Sequence, residues 1–436
     1  MFCTGRAADL TIGIEKKEKQ NCRIYPSGVK SLLSLQNRSR EIFLPVSEPV
    51  IFAEEIQGEA YIMNTENSSE RVGSVDVLKF LLAIVIALLH CGNTFGDASA
   101  PFPMGGIAVE LFFVISGCLM CMSAQRQSPF SRRRIGAETI RFLAKKIRDL
   151  LVPYCVMLII YLVCRWITDG AAMLAHDGWS GVLSEFLICL PNLLFLSMSG
   201  ILSDTKLIHI TWYISAMLIA MLVIYPLLRR FGSAYRLIAA PAVSILLMGY
   251  MYHAAEGIYK GIYVYKSFMM QGLMRAFITI HLGCVAYEIS RKLKKEALTV
   301  LSRTLLTAAV ILLCLLTYFV MQFGNEEVCY TLTLLSPMLI GILFSGQILG
   351  NACFNHKVCY YLGKASMYLY LYHVCVQRIL LTAEISVTYV QAALIMIAGS
   401  FAMFVVTDLM QKAVRHLMQK HHISLRKYFI REDSAS

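Results

Sequence analysis

The chain has 436 residues, of which 57% are hydrophobic and only 16% charged, and its mean hydropathy is +0.61. Soluble domains run nearer about 45–50% apolar and 25% charged, so this composition excludes an ordinary soluble domain and points to an all-α, polytopic membrane protein. The formal net charge of +12 does not imply a nucleic-acid partner, because in such a chain Lys and Arg collect in cytoplasmic loops and meet anionic lipid headgroups.

Residues 1–70 stand apart. They are polar and mixed in charge, carry Pro26, Pro45 and Pro49, and show no sustained periodicity. The expectation is a disordered or loosely structured cytoplasmic extension, without the short apolar core of a cleavable signal peptide. Met63 opens "MNTENSSERVGSVDVLKF", a natural short leader for a first membrane helix, which makes it a candidate true start. The fourteen cysteines are scattered, many inside apolar runs. "CLMC" at 118–121 has no second pair of metal-ligand type, so its cysteines read as small hydrophobes and no metal is expected.

Apolar runs long enough to span follow near 76–95, 105–124, 150–168, 182–198, 210–228, 235–252, 268–290, 302–322, 330–350, 357–380 and 386–411. Each approaches the 20 or so residues that a spanning helix needs. The segment 125–148 is rich in Arg and Lys and is read as cytoplasmic, whereas 92–104 has neither and is read as external. Arg229, Arg230 and Arg236, then "RKLKKE" at 291–296, then the basic tail 412–436, all fall inside only if 182–198 does not cross. That run contains Glu185, Pro191 and Asn192, which suits a re-entrant or interfacial piece. The expectation is about ten transmembrane helices over 71–411 with both termini cytoplasmic. Lys260 and Lys266 in the external loop 253–267 are a mild exception.

Ionisable residues recur in these spans. On the first, Lys79 and His90 are eleven residues apart, which puts them on one helix face about 16 Å from each other. Glu110 lies early in the second span, and a carboxylate in hydrocarbon costs about 2.5–3.5 kcal/mol, so it needs a partner or a cavity. His209, Trp212 and Tyr213 enter the fifth run from outside. Arg275 and the deeper His281 share another, and Tyr370 and His373 lie near the outer end of "GKASMYLYLYHV". Five helices thus carry His90, Glu110, Trp212, Arg275 and His373 to similar depth. Taken singly, Lys79 reads as a snorkelling side chain and Trp212 as part of an aromatic belt. Together they suggest a tunnel from a cationic inner mouth to an external polar layer.

At these residues the sequence resembles acyltransferase family 3, a family of integral membrane proteins. "DVLKFLLAIVIALLH" resembles its first helix, and "GGIAVELFFVISGCL" its Gly-rich, acidic Phe-Phe-Val segment. "FLAKKIRDLLVPY" resembles its basic stretch before Pro-Tyr, and "LGKASMYLYLYH" its late Ser…Tyr-Leu…His helix. The resemblance implies transfer of an acyl group, often acetyl, from acyl-CoA to a hydroxyl of a carbohydrate or lipid-linked sugar in the bacterial cytoplasmic membrane. It implies the catalytic-histidine place for His90 and contacts to the coenzyme's phosphates from Lys79, Lys146 and Arg148; the chemistry of the polar layer adds Glu110 as a catalytic partner and Trp212, Arg275 and His373 as acceptor contacts. Lys stands at 79 and 146 where the family has Arg, and "TWYISAMLIAM" lacks the acidic residue common after the tryptophan. In that scheme neutral His90 takes the hydroxyl proton, Glu110 orients or stabilises the imidazole, and Arg275, Trp212 or backbone amides hold the oxyanion. An acyl-histidine route is the other form of the reaction. The rival readings are a transporter or flippase using the same groups as a relay and a non-catalytic envelope scaffold.

Overall fold

The computed structural model describes residues 71–420 apart from 97–99, 201–207, 209, 255–261 and 267, all within one unit, Thr65–Ser436. The N-terminal extension with Met63, His209, Lys260 and the end of the basic tail lie outside the described residues, as do the side chains of Glu185 and Lys266. Ten α-helices follow in order: α1 Gly73–Phe95, α2 Ile107–Gln125, α3 Ile135–Leu193, α4 Thr211–Ala234, α5 Ala240–Ala254, α6 Gln271–Lys295, α7 Val300–Phe323, α8 Glu326–Ser345, α9 Lys357–Thr382 and α10 Tyr389–Lys420. A two-residue antiparallel hairpin, Tyr265–Lys266 with Met269–Met270, precedes α6.

The helices begin and end where local chemistry demands. Asn325 caps α8 by accepting the Val328 amide at 3.0 Å, Glu326 and Glu327 occupy its first turn, and Gly346 closes it at φ 68°. α3 bends at Gly178 (φ 59°), and a left-handed Gly232 (φ 55°) followed by a π-turn at Tyr235–Ala239 separates α4 from α5.

Eight segments are long and apolar enough to cross a membrane. One of them, Thr211–Ala254, holds both α4 and α5. α9 is not among them because Lys357, Lys364 and Arg378 dilute it, yet it packs against α1, α3 and α10. The chain is therefore an all-α polytopic protein whose ten helices overlap the ten expected spans, with α3 reaching beyond 150–168 at both ends.

Packing falls into two groups. α9 joins α1, α10 and α3, while α6 joins α2, α8, α4 and α5, with α7 against α8. A Cβ on Gly117 of α2 would overlap the Ile280 carbonyl of α6, and one on Gly283 would overlap that of Val114, so the two backbones touch. Gly363 of α9 meets the Asp76 carboxyl of α1 in the same way.

These contacts fix direction. Glu110 meets Arg275 and Gly117 meets Gly283, so α2 and α6 run parallel. Parallel helices require an odd number of crossings between them, here α3, α4 and α5. The stretch 182–198 then does not cross. Beyond Gly178 the helix continues only over 179–193, about 22 Å at 1.5 Å per residue, short of the roughly 30 Å hydrocarbon core. Trp179, Leu183, Leu187, Leu190 and Leu194 stand exposed along one of its faces. On the opposite face Asn192 accepts the Tyr154 hydroxyl at 2.7 Å through its carbonyl and that of Thr211 at 2.9 Å through its side chain.

Candidate active site

The site lies at the seam between the two helix groups. From the first group, α1 presents His90 and α9 presents His373, their ring centroids 5.2 Å apart and their planes tilted by 33°. His90 is half-buried and His373 fully buried. The Nδ1–H of His373 donates to the Leu369 carbonyl one turn back, at 3.0 Å. That bond fixes the tautomer, so Nε2 of the neutral ring is a bare acceptor, and it has no hydrogen-bond partner among the described residues. One turn further along α9, Gln377 donates to the His90 carbonyl at 3.3 Å and to the Thr94 hydroxyl, tying the two helices beside the imidazoles.

From the second group come Glu110 of α2 and Arg275 of α6. Arg275 Nε lies 2.5 Å from Glu110 Oε1, with side chains 2% and 1% exposed. The pair neutralises two charges that hydrocarbon would not hold singly. The Arg275 guanidinium also lies 4.8 Å from the ring centroid of Trp212 on α4, a cation–π distance. The second carboxylate oxygen of Glu110 is buried with no hydrogen-bond partner among the described residues. A continuous aromatic layer joins the two halves. Tyr213 stands 4.5 Å from Phe113 and 5.5 Å from Tyr370, and Tyr370 stands 6.2 Å from His373 while its hydroxyl donates to the Ile210 carbonyl at 2.9 Å.

At the opposite, basic end, cations are held by carboxylates and rings. Lys79 pairs with Asp76 one turn earlier at 2.5 Å. Lys146 lies over Phe142, which stacks on Tyr225 at 4.3 Å. Glu138 of α3 accepts from the Tyr225 hydroxyl at 2.8 Å and from Arg229 Nε at 2.5 Å, while Arg229 also donates to the carbonyls of Ala124 and Ser128. This clamp fixes the turn between α2 and α3. Arg148 points outward, 71% exposed, with Asp149 at 3.9 Å.

A family model described as an acyltransferase domain matches residues 72–411. The chain belongs to that family, acyltransferase family 3. No curated protein and no solved structure is matched by this chain. In this acyltransferase the ten helices α1–α10 fall almost wholly within the matched domain, and the extension before residue 72 precedes it.

Of the residues singled out from sequence, the acyltransferase brings His90 and His373 into one pair and Glu110, Arg275 and Trp212 into another cluster. Glu110 bonds to Arg275 through one oxygen, and the Nδ1 of His373 is taken by its own helix. Lys79 is on α1, whereas Lys146 and Arg148 are on α3, and α1 and α3 make no extended contact. His281 is held by the Tyr235 hydroxyl at 2.8 Å and by the Phe277 carbonyl, which makes it a packing residue of the π-turn. Sequence reading passed over Gln377, whose only signal was a polar residue one turn from His373 on an otherwise aromatic face. It also passed over Glu288, which is saturated by Arg236 and Arg291. Cys118 and Cys121 are buried free thiols, and among the described residues no three metal-ligating side chains converge.

Proposed function

We propose that this membrane acyltransferase moves a short acyl group, acetyl in the simplest case, from acyl-CoA on the cytoplasmic side to a hydroxyl of an envelope carbohydrate or lipid-linked sugar, with His90 as general base. One observation carries the choice of a hydroxyl-bearing acceptor. Two buried atoms at the seam, Glu110 Oε2 and His373 Nε2, are hydrogen-bond acceptors without donors among the described residues. Unmet buried acceptors are costly, and a polyhydroxylated substrate supplies the missing donors.

The step balances simply. The acceptor oxygen forms the new bond to the thioester carbonyl carbon, the C–S bond breaks, and the hydroxyl proton passes to His90 and then to the departing thiolate. His373, with Nε2 bare and its ring beside His90, is suited to receive a hydrogen bond from the imidazolium or from a neighbouring hydroxyl. Arg275, pinned by Glu110 and Trp212, is a fixed positive charge for the oxyanion. Lys79, on the His90 face of the continuous helix α1 and about 16 Å away, supports donor entry from the basic end. The acceptor and the acyl donor are substrates of this scheme, and the bacterial cytoplasmic membrane is its setting.

The test is incubation of purified protein with radiolabelled acetyl-CoA and envelope glycan extracts. Label should pass to glycan with wild type and fall by at least about a thousandfold in His90→Ala, in keeping with loss of a general base and its contacts, while membrane expression is retained. Full incorporation by the variant would remove His90 from the chemistry. Substrate flux into vesicles without acylation would favour the transporter.

A further inference from the structure

At the basic end of the bundle, the last turns of α2 and α6 enclose a cleft of about 160 Å³. Arg126, Arg291 and Lys294 line it, with Gln125 and Ser290 between them and Tyr287 behind. Its charge is organised from beneath. Glu288 is saturated by Arg236 of the π-turn and by Arg291, whose Nη2 lies 2.7 Å and Nε 3.0 Å from Oε2. Arg236 in turn lies 5.3 Å from the Tyr287 ring centroid. Glu288 thus holds Arg236 beneath the opening and Arg291 at its wall, while Arg126 and Lys294 stand exposed at the rim. Two guanidiniums and an ammonium around an opening of this size match phosphate oxygens, which Arg binds in a fork and Lys as a point charge.

We propose that this cleft binds a phosphate-bearing ligand, and that the ligand is the diphosphate end of the acyl donor. The identification of the ligand rests on the acyl-CoA reading above. The cleft does not include Lys79, Lys146 or Arg148. Its position supports the donor in a second way. α2 and α6 run parallel and touch at Gly117 and Gly283, and the same two helices carry Glu110 and Arg275 at their other ends. Fifteen residues of α2 separate Glu110 from Gln125, and sixteen of α6 separate Arg275 from Arg291, so the two sites are about 22–24 Å apart at 1.5 Å per residue. A ligand with phosphates at one end and a reactive group on a long flexible arm suits that separation. An acidic phospholipid headgroup offers the same phosphate chemistry without the reach.

The experiment uses the full chain in nanodiscs of zwitterionic lipid and titrates coenzyme A, which carries no acyl group. The variant is Arg126→Gln with Lys294→Gln, two exposed positions outside the Glu288 pairing. The expected result is at least a tenfold rise in the Kd for coenzyme A and a shallower loss of affinity with added salt than in wild type, since fewer charges are screened. Arg126→Lys, which keeps the charge, should fall between the two and controls for folding. Phosphatidylglycerol retained by the purified protein is measured by native mass spectrometry in parallel. If coenzyme A binding is unchanged and the variant loses bound phosphatidylglycerol, the phosphate site stands and the donor assignment is overturned. If neither changes, the cleft is no phosphate site. If wild type binds coenzyme A through the cleft yet transfers no acyl group to any hydroxyl, the proposed function fails while the site survives.

Discussion

The side chains of the seam are held by specific contacts, and their substitutions should be informative one at a time. His373→Asn removes the bare Nε2 while leaving an amide of smaller size. It should lower acyl transfer by tenfold or more with little change in donor Kd, and equal loss in both would mark His373 as a packing residue. Glu110→Ala strands Arg275 in a buried position, and removing one partner of such a pair typically costs about 3–5 kcal/mol. A clear fall in the thermal midpoint of the detergent-solubilised protein should follow, and Glu110→Ala with Arg275→Met should recover part of it. Lys79 has a rival role as a partner of Asp76, 21% exposed beside a carboxylate at 6%. Lys79→Ala should raise the KM for donor with kcat nearly unchanged, and an unchanged donor dependence would leave it a structural ion pair. The type and depth of these residues were legible in the sequence. Their partners were not, because Glu110 and Arg275 are 165 residues apart and nothing local in either helix specifies the other.

Helices α9 and α2 show what an element needs in order to carry such a site. α9 holds Lys357, Lys364, Gln377 and Arg378 together with several tyrosines, so hydropathy alone does not mark it as a span. It is stable because its surroundings are protein on three sides. Lys364 reaches Asp408 of α10, Tyr372 meets Thr407 at 2.7 Å, and Gly363 admits Asp76 of α1. α2 is apolar along almost its whole length and is buried for another reason, the glycine contact with α6. Gly117→Leu should push α2 and α6 apart and shift Glu110 from Arg275, with loss of both expression level and activity, whereas Gly249→Leu on α5, where an added Cβ meets nothing within 4 Å, should leave both near wild type. Equal tolerance at the two positions would contradict the close approach. The short distal arm of α3 could be read as non-crossing from charge, and the parallel register of α2 and α6 gives the same answer from contacts.

At the scale of the molecule, the two helix groups put most of the described ion pairs at one end and the acceptor-rich seam, with the Glu110–Arg275 pair, at the other. The loop-charge bias predicts that the end bearing 126–148 is cytoplasmic. A fluorescent protein fused after residue 436 should therefore mature, and alkaline phosphatase fused after residue 104 should be active. The reverse pattern would invert the route proposed for the donor. By itself the sequence determined the all-α membrane class, the positions of the helices and the ionisable residues within them, because segment hydropathy and length are properties of one stretch of chain facing lipid. It also carried the family, through short motifs in α1, α2, α3 and α9. Only the tertiary structure decided that His90 faces His373, that Glu110 answers to Arg275 and that Arg126 joins Arg291 and Lys294. Those pairings depend on which helices become neighbours and in which direction they run, and that is settled by glycine contacts and buried charges acting across the whole bundle.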